Sequence, residues 1–265
     1  MKKVWISGCV LLLVIVAILF VHNRGWDGDG SGKNNTPAAS WDRGRTEADD
    51  ADPLPESAMA VKDGIMYSKD LTVGDAPAGY FDDALFIGDS RTVGLRDYGK
   101  IEGATWYCTV SMGVVNYDKK DVKVDGYGSI KLGSLLEKKS FSKIYICMGI
   151  NEIGYDLGAL AKKYADFVQM LKEKAPGAKI IFMSNLHVAS ARSSTDKWVN
   201  NARINELNGS FKAMQDGTEI FYIDINPLFD DANGALAKQY TTDNTHILGK
   251  YYVNWGDYIK SHAIY

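Results

Sequence analysis

The stretch ALFIGDSR at residues 84–91 is an apolar run that stops at Gly88-Asp89-Ser90. Short, continuous apolar runs of this kind are typical of strands that are covered on both faces of a sheet. Ligands of parallel α/β sheets collect beyond the carboxyl ends of the strands. The residues that follow Gly88 are therefore the first candidates for chemistry.

On the C-terminal side of this stretch, short apolar runs alternate with longer amphipathic segments. The runs predict four further strands, at residues 105–111, 143–148, 179–185 and 219–225. A helical stripe lies between the third and fourth strands, at Leu160, Tyr164, Phe167, Val168 and Leu171, and Ala175-Pro176-Gly177 ends it. Two more helices are predicted at 195–215 and 247–262. This alternation predicts a parallel sheet of about five strands with helices on both sides.

Polar or small residues follow three of these strands and precede the last helix. They form four blocks, Gly88-Asp89-Ser90, Ser111-Met112-Gly113, Gly149-Ile150-Asn151-Glu152 and Asp243-Asn244-Thr245-His246. In their order and content these blocks resemble the motifs of the SGNH/GDSL hydrolase family. The resemblance covers the chain from residue 84 to its end. It implies a three-layer α/β/α, flavodoxin-like domain and a serine esterase or acylhydrolase that needs no metal and no organic cofactor.

The chemistry of the blocks agrees with the resemblance. A serine hydroxyl becomes a good nucleophile only when a neighbouring base takes its proton. His246 is the natural base for Ser90, because imidazole titrates near neutral pH. Asp243, three residues earlier, can accept a hydrogen bond from the other ring nitrogen and fix the tautomer. Ser90, His246 and Asp243 are therefore predicted to be the catalytic residues.

The oxygen of an attacked ester carbonyl gains negative charge and needs hydrogen-bond donors. The resemblance implies that the donors are the backbone N–H of Ser90, the backbone N–H of Gly113 and the side chain of Asn151. Glycine suits the second position if the backbone must approach the substrate closely there.

Each assignment has a structural alternative. Ser90 or Asp243 could serve only as a helix cap, Asn151 could be a turn residue, and Gly113 could be an ordinary bend. The chain has four histidines, and His187, after the fourth predicted strand, is the rival base. The Asp-x-x-His spacing favours His246.

Two residues depart from the family pattern. Arg91 stands where the GDSL motif has leucine, and this cation argues against a long acyl chain. Its guanidinium could meet a carboxylate or sugar hydroxyls, or form a surface ion pair. Glu152 replaces the aspartate of the third block, and a structural role is expected for it.

The N-terminus predicts a membrane anchor. Lys2 and Lys3 precede an apolar run at residues 4–21, which is long enough as a helix to nearly span a bilayer core. No small-x-small cleavage site follows, which favours a retained anchor at 1–21 over a cleaved signal peptide; a lipoprotein at Cys9 is a third reading. The two lysines place the rest of the chain outside the cell. Residues 22–62 are predicted to be a flexible stalk, and 63–265 the hydrolase domain.

The composition limits the partners. A formal net charge of −3 and the lack of a long basic run exclude nucleic acid as an expected partner. The expected activity is removal of a small, acetyl-like acyl group from a cell-envelope glycan or a related ester by a single-pass protein of the cell membrane. An O-acyltransferase that uses the same residues, and a non-catalytic envelope-binding module, are the alternatives.

Overall fold

The computed structural model describes residues 58–265. The strands of this part are β1 Met59–Lys62, β2 Ile65–Ser68, β3 Val73–Gly74, β4 Ala84–Gly88, β5 Thr105–Cys108, β6 Val122–Val124, β7 Gly128–Ile130, β8 Lys143–Cys147, β9 Lys179–Met183, β10 Ile220–Ile223 and β11 Ala263–Ile264. The α-helices are α1 Ser90–Tyr98, α2 Leu132–Lys138, α3 Leu157–Lys174, α4 Ser190–Ser193, α5 Asn201–Met214 and α6 Tyr252–Ser261. Short 3-10 turns lie at Asn226–Leu228, Lys238–Tyr240 and Gly249–Tyr251.

The central sheet has five strands in the order β10-β9-β8-β4-β5, and every neighbouring pair is parallel. Successive side chains of a strand point to opposite faces, so each strand contributes to two cores. Leu85 and Ile87 pack with α2, α3 and α5, whereas Phe86 packs with α1 and α6 on the other face. The predicted three-layer α/β/α domain with a parallel sheet of about five strands is confirmed.

Several predicted elements differ in length from those observed. The second strand ends at Cys108 instead of residue 111, because the chain turns at Ser111, whose φ is 61°. The helix predicted from 195 begins at Asn201, because the Asp196 carboxylate accepts the backbone N–H groups of Trp198 and Val199 in a tight turn. The helix predicted from 247 is preceded by the turn at Gly249–Tyr251 and starts at Tyr252.

The predicted boundary between stalk and domain at residue 62 is wrong. Strand β1 pairs antiparallel with β2 around Asp63 and Gly64, which have φ angles of 51° and 83°. An Asp-Gly pair favours this two-residue hairpin turn, because aspartate tolerates and glycine readily adopts positive φ. The ordered structure therefore includes the last residues of the predicted stalk. The rest of that stalk and the predicted anchor at 1–21 lie outside the described residues. Between residues 58 and 265, no helix is long and apolar enough to cross a membrane.

Candidate active site

Ser90 is the first residue of α1, directly beyond the carboxyl end of β4. The N-cap of this helix is Asp89, whose Oδ1 accepts the backbone N–H of Arg91 at 2.9 Å. The alternative in which Ser90 only caps the helix is therefore wrong. Its hydroxyl is directed instead to a residue 156 positions later in the chain.

That residue is His246. The Ser90 Oγ lies 3.0 Å from His246 Nε2, and His246 Nδ1 lies 2.7 Å from Asp243 Oδ2. The other carboxylate oxygen of Asp243 accepts the backbone N–H groups of Thr245 and His246, at 2.9 and 2.8 Å. Asp243 thus holds this turn and orients the imidazole. The alternative in which it only caps the last helix is wrong, because the N-cap of α6 is Tyr251. The structure brings all three residues together in a hydrogen-bonded chain.

The ionisation of Asp243 follows from these contacts. Partial burial raises the pKa of its carboxyl group, but the hydrogen bonds from the His246 backbone, the His246 ring and the Thr245 backbone outweigh burial and lower the pKa to about 2. The carboxylate is therefore charged at neutral pH. A charged acceptor at Nδ1 favours the tautomer in which Nε2 can take a proton from a hydroxyl group.

Arg91 lies beneath this chain of residues. It is fully buried, and its Nη2 donates to the backbone oxygen of Thr245 at 3.2 Å. Both sequence-based expectations for Arg91, a substrate contact and a surface ion pair, are wrong. Burial raises the pKa of the nearby Asp89, and the positive charge of Arg91 opposes this rise without cancelling it. Since Arg91 follows Ser90 and Thr245 precedes His246, this contact links the start of α1, which carries the nucleophile, to the loop that carries the base.

A second arginine also holds the histidine loop. Arg192, at the end of the short helix α4, donates from Nη1 to the Thr245 hydroxyl. Its Nε and Nη2 contact the Asp196 carboxylate at 3.4 and 3.3 Å. Sequence reasoning missed both arginines as supports, because their acceptor is a backbone or hydroxyl group that lies more than 50 residues away.

Two of the three predicted oxyanion donors, Asn151 and Gly113, lie at the Met112–Gly113 turn. Asn151 donates from Nδ2 to the backbone oxygen of Met112 at 3.0 Å, and the Gly113 N–H donates to Asn116 Oδ1 at 3.0 Å. An asparagine amide carries two N–H groups, so one remains available at Asn151. The structure places the two residues side by side, and their role as donors to an oxyanion stays a prediction.

Glu152 explains why a glycine stands at position 113. The Glu152 carboxyl group is buried, and its Oε1 accepts the Val114 N–H at 2.6 Å and the Tyr164 hydroxyl at 3.3 Å. A Cβ atom on Gly113 would overlap this carboxyl group. The close approach that requires glycine is thus an approach to Glu152. Burial, opposed by the Val114 hydrogen bond and assisted by the nearby Asp89, raises the pKa of Glu152 to about 7.

The rival histidine has no serine partner. His187 Nδ1 lies 2.8 Å from Asp230 Oδ2, and its Nε2 lies 2.7 Å from Asn205 Oδ1. Both ring nitrogens therefore face oxygen acceptors. Burial lowers the pKa of His187, but Asp230 and Asn205 outweigh burial and raise it. Both ring nitrogens of His187 are therefore engaged, and neither can act as the base for Ser90.

A small pocket adjoins Asn151 and was not foreseen. Its volume is about 170 Å³, and its lining consists of Asn151, Glu152, Gly154, Tyr155 and Trp198. Trp198 lies in the turn before α5, which the sequence had assigned to a helix. No group of three or more His, Cys, Asp or Glu side chains within the described residues could hold a metal ion.

Comparison with known proteins agrees with the architecture. Residues 86–250 match the model of the GDSL-like Lipase/Acylhydrolase family. A GDSL-like lipase from Bacteroides thetaiotaomicron superposes with a TM-score of 0.52 at 19% identity, over 70% of this chain and 89% of that one. The C-terminal catalytic domain of Streptococcus pneumoniae peptidoglycan O-acetyltransferase A gives 0.45 at 15%, over 69% and 90%. No curated protein matches the sequence. The likeness to the lipase shows the shared fold.

Proposed function

Because the chain belongs to the GDSL-like Lipase/Acylhydrolase family, we propose that it is a serine esterase that cleaves a small acyl ester through an acyl-Ser90 intermediate. The observation that carries this proposal is the continuous chain from Ser90 Oγ to His246 Nε2 and from His246 Nδ1 to Asp243 Oδ2. Nucleophile, base and orienting group stand in the geometry that acyl transfer requires.

The first half of the reaction forms the acyl-enzyme. His246 Nε2 takes the hydroxyl proton while Ser90 Oγ bonds to the carbonyl carbon, and the carbonyl oxygen becomes an oxyanion. The N–H groups of Ser90, Gly113 and Asn151 are the proposed donors to that oxyanion. The Gly113 N–H would exchange its bond to Asn116 for this one. Collapse breaks the ester C–O bond, and the protonated His246 gives its proton to the leaving alcohol.

The second half regenerates the serine. His246 takes a proton from water, the water oxygen attacks the acyl carbon, and the Ser90 Oγ leaves with the proton from the imidazolium. Asp243 remains ionised throughout, because its pKa lies at about 2. It stabilises the imidazolium that forms in each half.

Turnover of p-nitrophenyl acetate by the full-length chain, and labelling by a fluorophosphonate, test the mechanism. Ser90→Ala is expected to abolish labelling and to lower kcat by about 10³-fold or more. Unchanged turnover in this variant would refute the proposed nucleophile. Failure of the unmodified chain to react with the probe would favour the non-catalytic binding module instead.

For the substrate, we propose an O-acylated glycan of the cell envelope. Support comes from the predicted anchor, since a single-pass protein with Lys2 and Lys3 inside would hold the catalytic domain at the outer surface. Protease treatment of intact cells should digest the domain if this placement is right. Mass spectrometry of envelope glycans should then reveal ester accumulation when Ser90 is replaced by alanine, and unaltered ester content would contradict this substrate.

Transfer of the acyl group to a sugar hydroxyl is the second candidate. One feature favours it: the side chains of Asp243 and His246 remain half exposed, so an acceptor larger than water can approach the acyl-enzyme. Product analysis with p-nitrophenyl acetate and an added oligosaccharide separates the two reactions. An acetylated oligosaccharide identifies a transferase, whereas free acetate alone identifies a hydrolase.

A further inference from the structure

Two exposed aromatic side chains flank the pocket beside Asn151. Tyr155 is 59% exposed and Trp198 is 47% exposed, although most large aromatic side chains of the domain are buried. Contiguous exposed apolar patches on a protein surface mark interaction sites, whereas singly scattered apolar residues do not. Both rings line the same pocket, which shares Asn151 with the candidate active site.

The two loops that carry these rings are held in place. Arg203 of α5 donates from Nε to the backbone oxygen of Ile153 at 2.8 Å and from Nη2 to that of Tyr155 at 2.6 Å. Its guanidinium also lies 5.5 Å from the centre of the Trp198 ring. The Asp196 carboxylate fixes the Trp198 backbone N–H at 2.9 Å. The rings are therefore presented by a preformed surface.

The chemistry of this surface suits a pyranose ring. A sugar ring has a face of polarised C–H bonds, which are attracted to the negative face of an aromatic ring, and hydroxyl groups around its edge. The Asn151 amide oxygen can accept hydrogen bonds from those hydroxyls, and the Lys197 ammonium, 4.6 Å from the Trp198 ring centre, offers a donor. A long acyl chain would need an extended apolar groove, which a pocket of about 170 Å³ does not provide.

We propose that Tyr155 and Trp198 form a sugar-binding platform, on which a pyranose ring of the substrate stacks beside Asn151. The platform rests on the proposed action on a glycan ester and names the part of the glycan that the domain holds. The site would then have a recognition part at Tyr155 and Trp198 and a reaction part at Ser90.

Calorimetric titration tests the platform without requiring turnover. Chitopentaose, cellopentaose and xylopentaose, none of which carries an ester, are titrated into the full-length chain with Ser90→Ala. At least one is expected to bind, and Trp198→Ala added to this chain should weaken that binding about tenfold or more. Trp198→Phe should restore much of the affinity, because a flat ring returns. Tyr155→Ala should weaken binding as well.

The matched control is Tyr98→Ala, since Tyr98 is an exposed aromatic residue at the far end of α1 from Ser90. The Tyr98→Ala variant of the Ser90→Ala chain should bind the sugar with the same affinity as the Ser90→Ala chain itself. Equal affinity of the Trp198→Ala chain, or no binding of any of the three sugars by the parent, would overturn the platform. Turnover of p-nitrophenyl acetate reads the esterase proposal separately, so the failure of one proposal is distinguishable from the failure of the other.

Discussion

Of the three histidine–aspartate pairs in the described residues, two have almost the same contact at Nδ1. In one, His246 Nδ1 lies 2.7 Å from Asp243 Oδ2; in the other, His187 Nδ1 lies 2.8 Å from Asp230 Oδ2. The pairs differ at the second ring nitrogen, which meets the Ser90 hydroxyl in the first pair and the Asn205 amide oxygen in the second. A hydroxyl can donate its proton to the imidazole, whereas an amide oxygen can only accept a hydrogen bond from it.

Exposure separates the pairs further. The side chains of His246 and Asp243 are 42% and 53% exposed, whereas those of His187 and Asp230 are 10% and 17% exposed. A substrate can therefore reach the first pair, and the second serves as a buried link between α5 and the loop after β10. A histidine next to a carboxylate can therefore act as a base only if its other ring nitrogen faces a group that can donate a proton.

The largest difference in kcat between the two pairs is expected when each imidazole is removed. His246→Ala should lower kcat for p-nitrophenyl acetate by about 10⁴-fold, because Ser90 loses its proton acceptor. His187→Ala should retain kcat and lose stability, because Asp230 and Asn205 lose a shared partner. Steady-state kinetics with thermal unfolding checks both variants. Similar losses of kcat in the two variants would remove the distinction.

Next in size is the effect of the carboxylates. Asp243→Asn keeps an oxygen for the backbone N–H groups of Thr245 and His246 but can place an amide N–H against Nδ1, which selects the wrong tautomer. We expect kcat to fall about 10³-fold. Asp230→Asn is the matched control and should leave kcat within a factor of about two, since its histidine takes no proton from Ser90. A retained kcat in Asp243→Asn would contradict the role given to Asp243.

A smaller effect is expected from the support under the first pair. Arg91→Met preserves bulk but removes the donor to Thr245, so the loop before His246 loosens and kcat should fall about tenfold to a hundredfold. Arg96→Met, on the same helix but at an exposed ion pair with Asp97, is the control and should leave kcat unchanged. Equal kinetics of the two variants would show that the Arg91–Thr245 contact has no part in placing His246.

The smallest effect concerns pH and the second pair. The partners of His187 raise its pKa in the folded state, so the imidazolium stabilises the fold below the unfolded pKa, and this stabilisation is lost as the pH rises through the folded pKa. The melting temperature should therefore fall more between pH 6 and 8.5 in the parent chain than in His187→Gln, by about a few degrees. The buried Glu152 changes stability in the same direction in both proteins, so it cancels in the difference. Parallel pH profiles would argue against a charged His187.

The sequence predicted the sheet well because its strands are buried on both faces. Continuous apolar runs locate all five central strands, and their parallel pairing follows from the helices between them. The predicted stalk includes β1, the first strand of the hairpin, although the Asp63-Gly64 pair that follows is a local signal for a hairpin turn. The sequence also predicts a helix where the structure has the turn before α5. There the hydrogen bonds of the Asp196 carboxylate compete with the helical pattern.

The sequence by itself therefore determined the sheet and the residue types at its carboxyl edge, since strand periodicity and short motifs such as Gly-Asp-Ser and Asp-x-x-His are local properties. The tertiary structure decided which of two histidines meets Ser90, that Arg91 is buried under the histidine loop, and that Gly113 accommodates Glu152. These contacts join residues far apart in the chain, and their partners are set by packing and burial. A local pattern specifies a side chain, but only the folded arrangement specifies what that side chain faces.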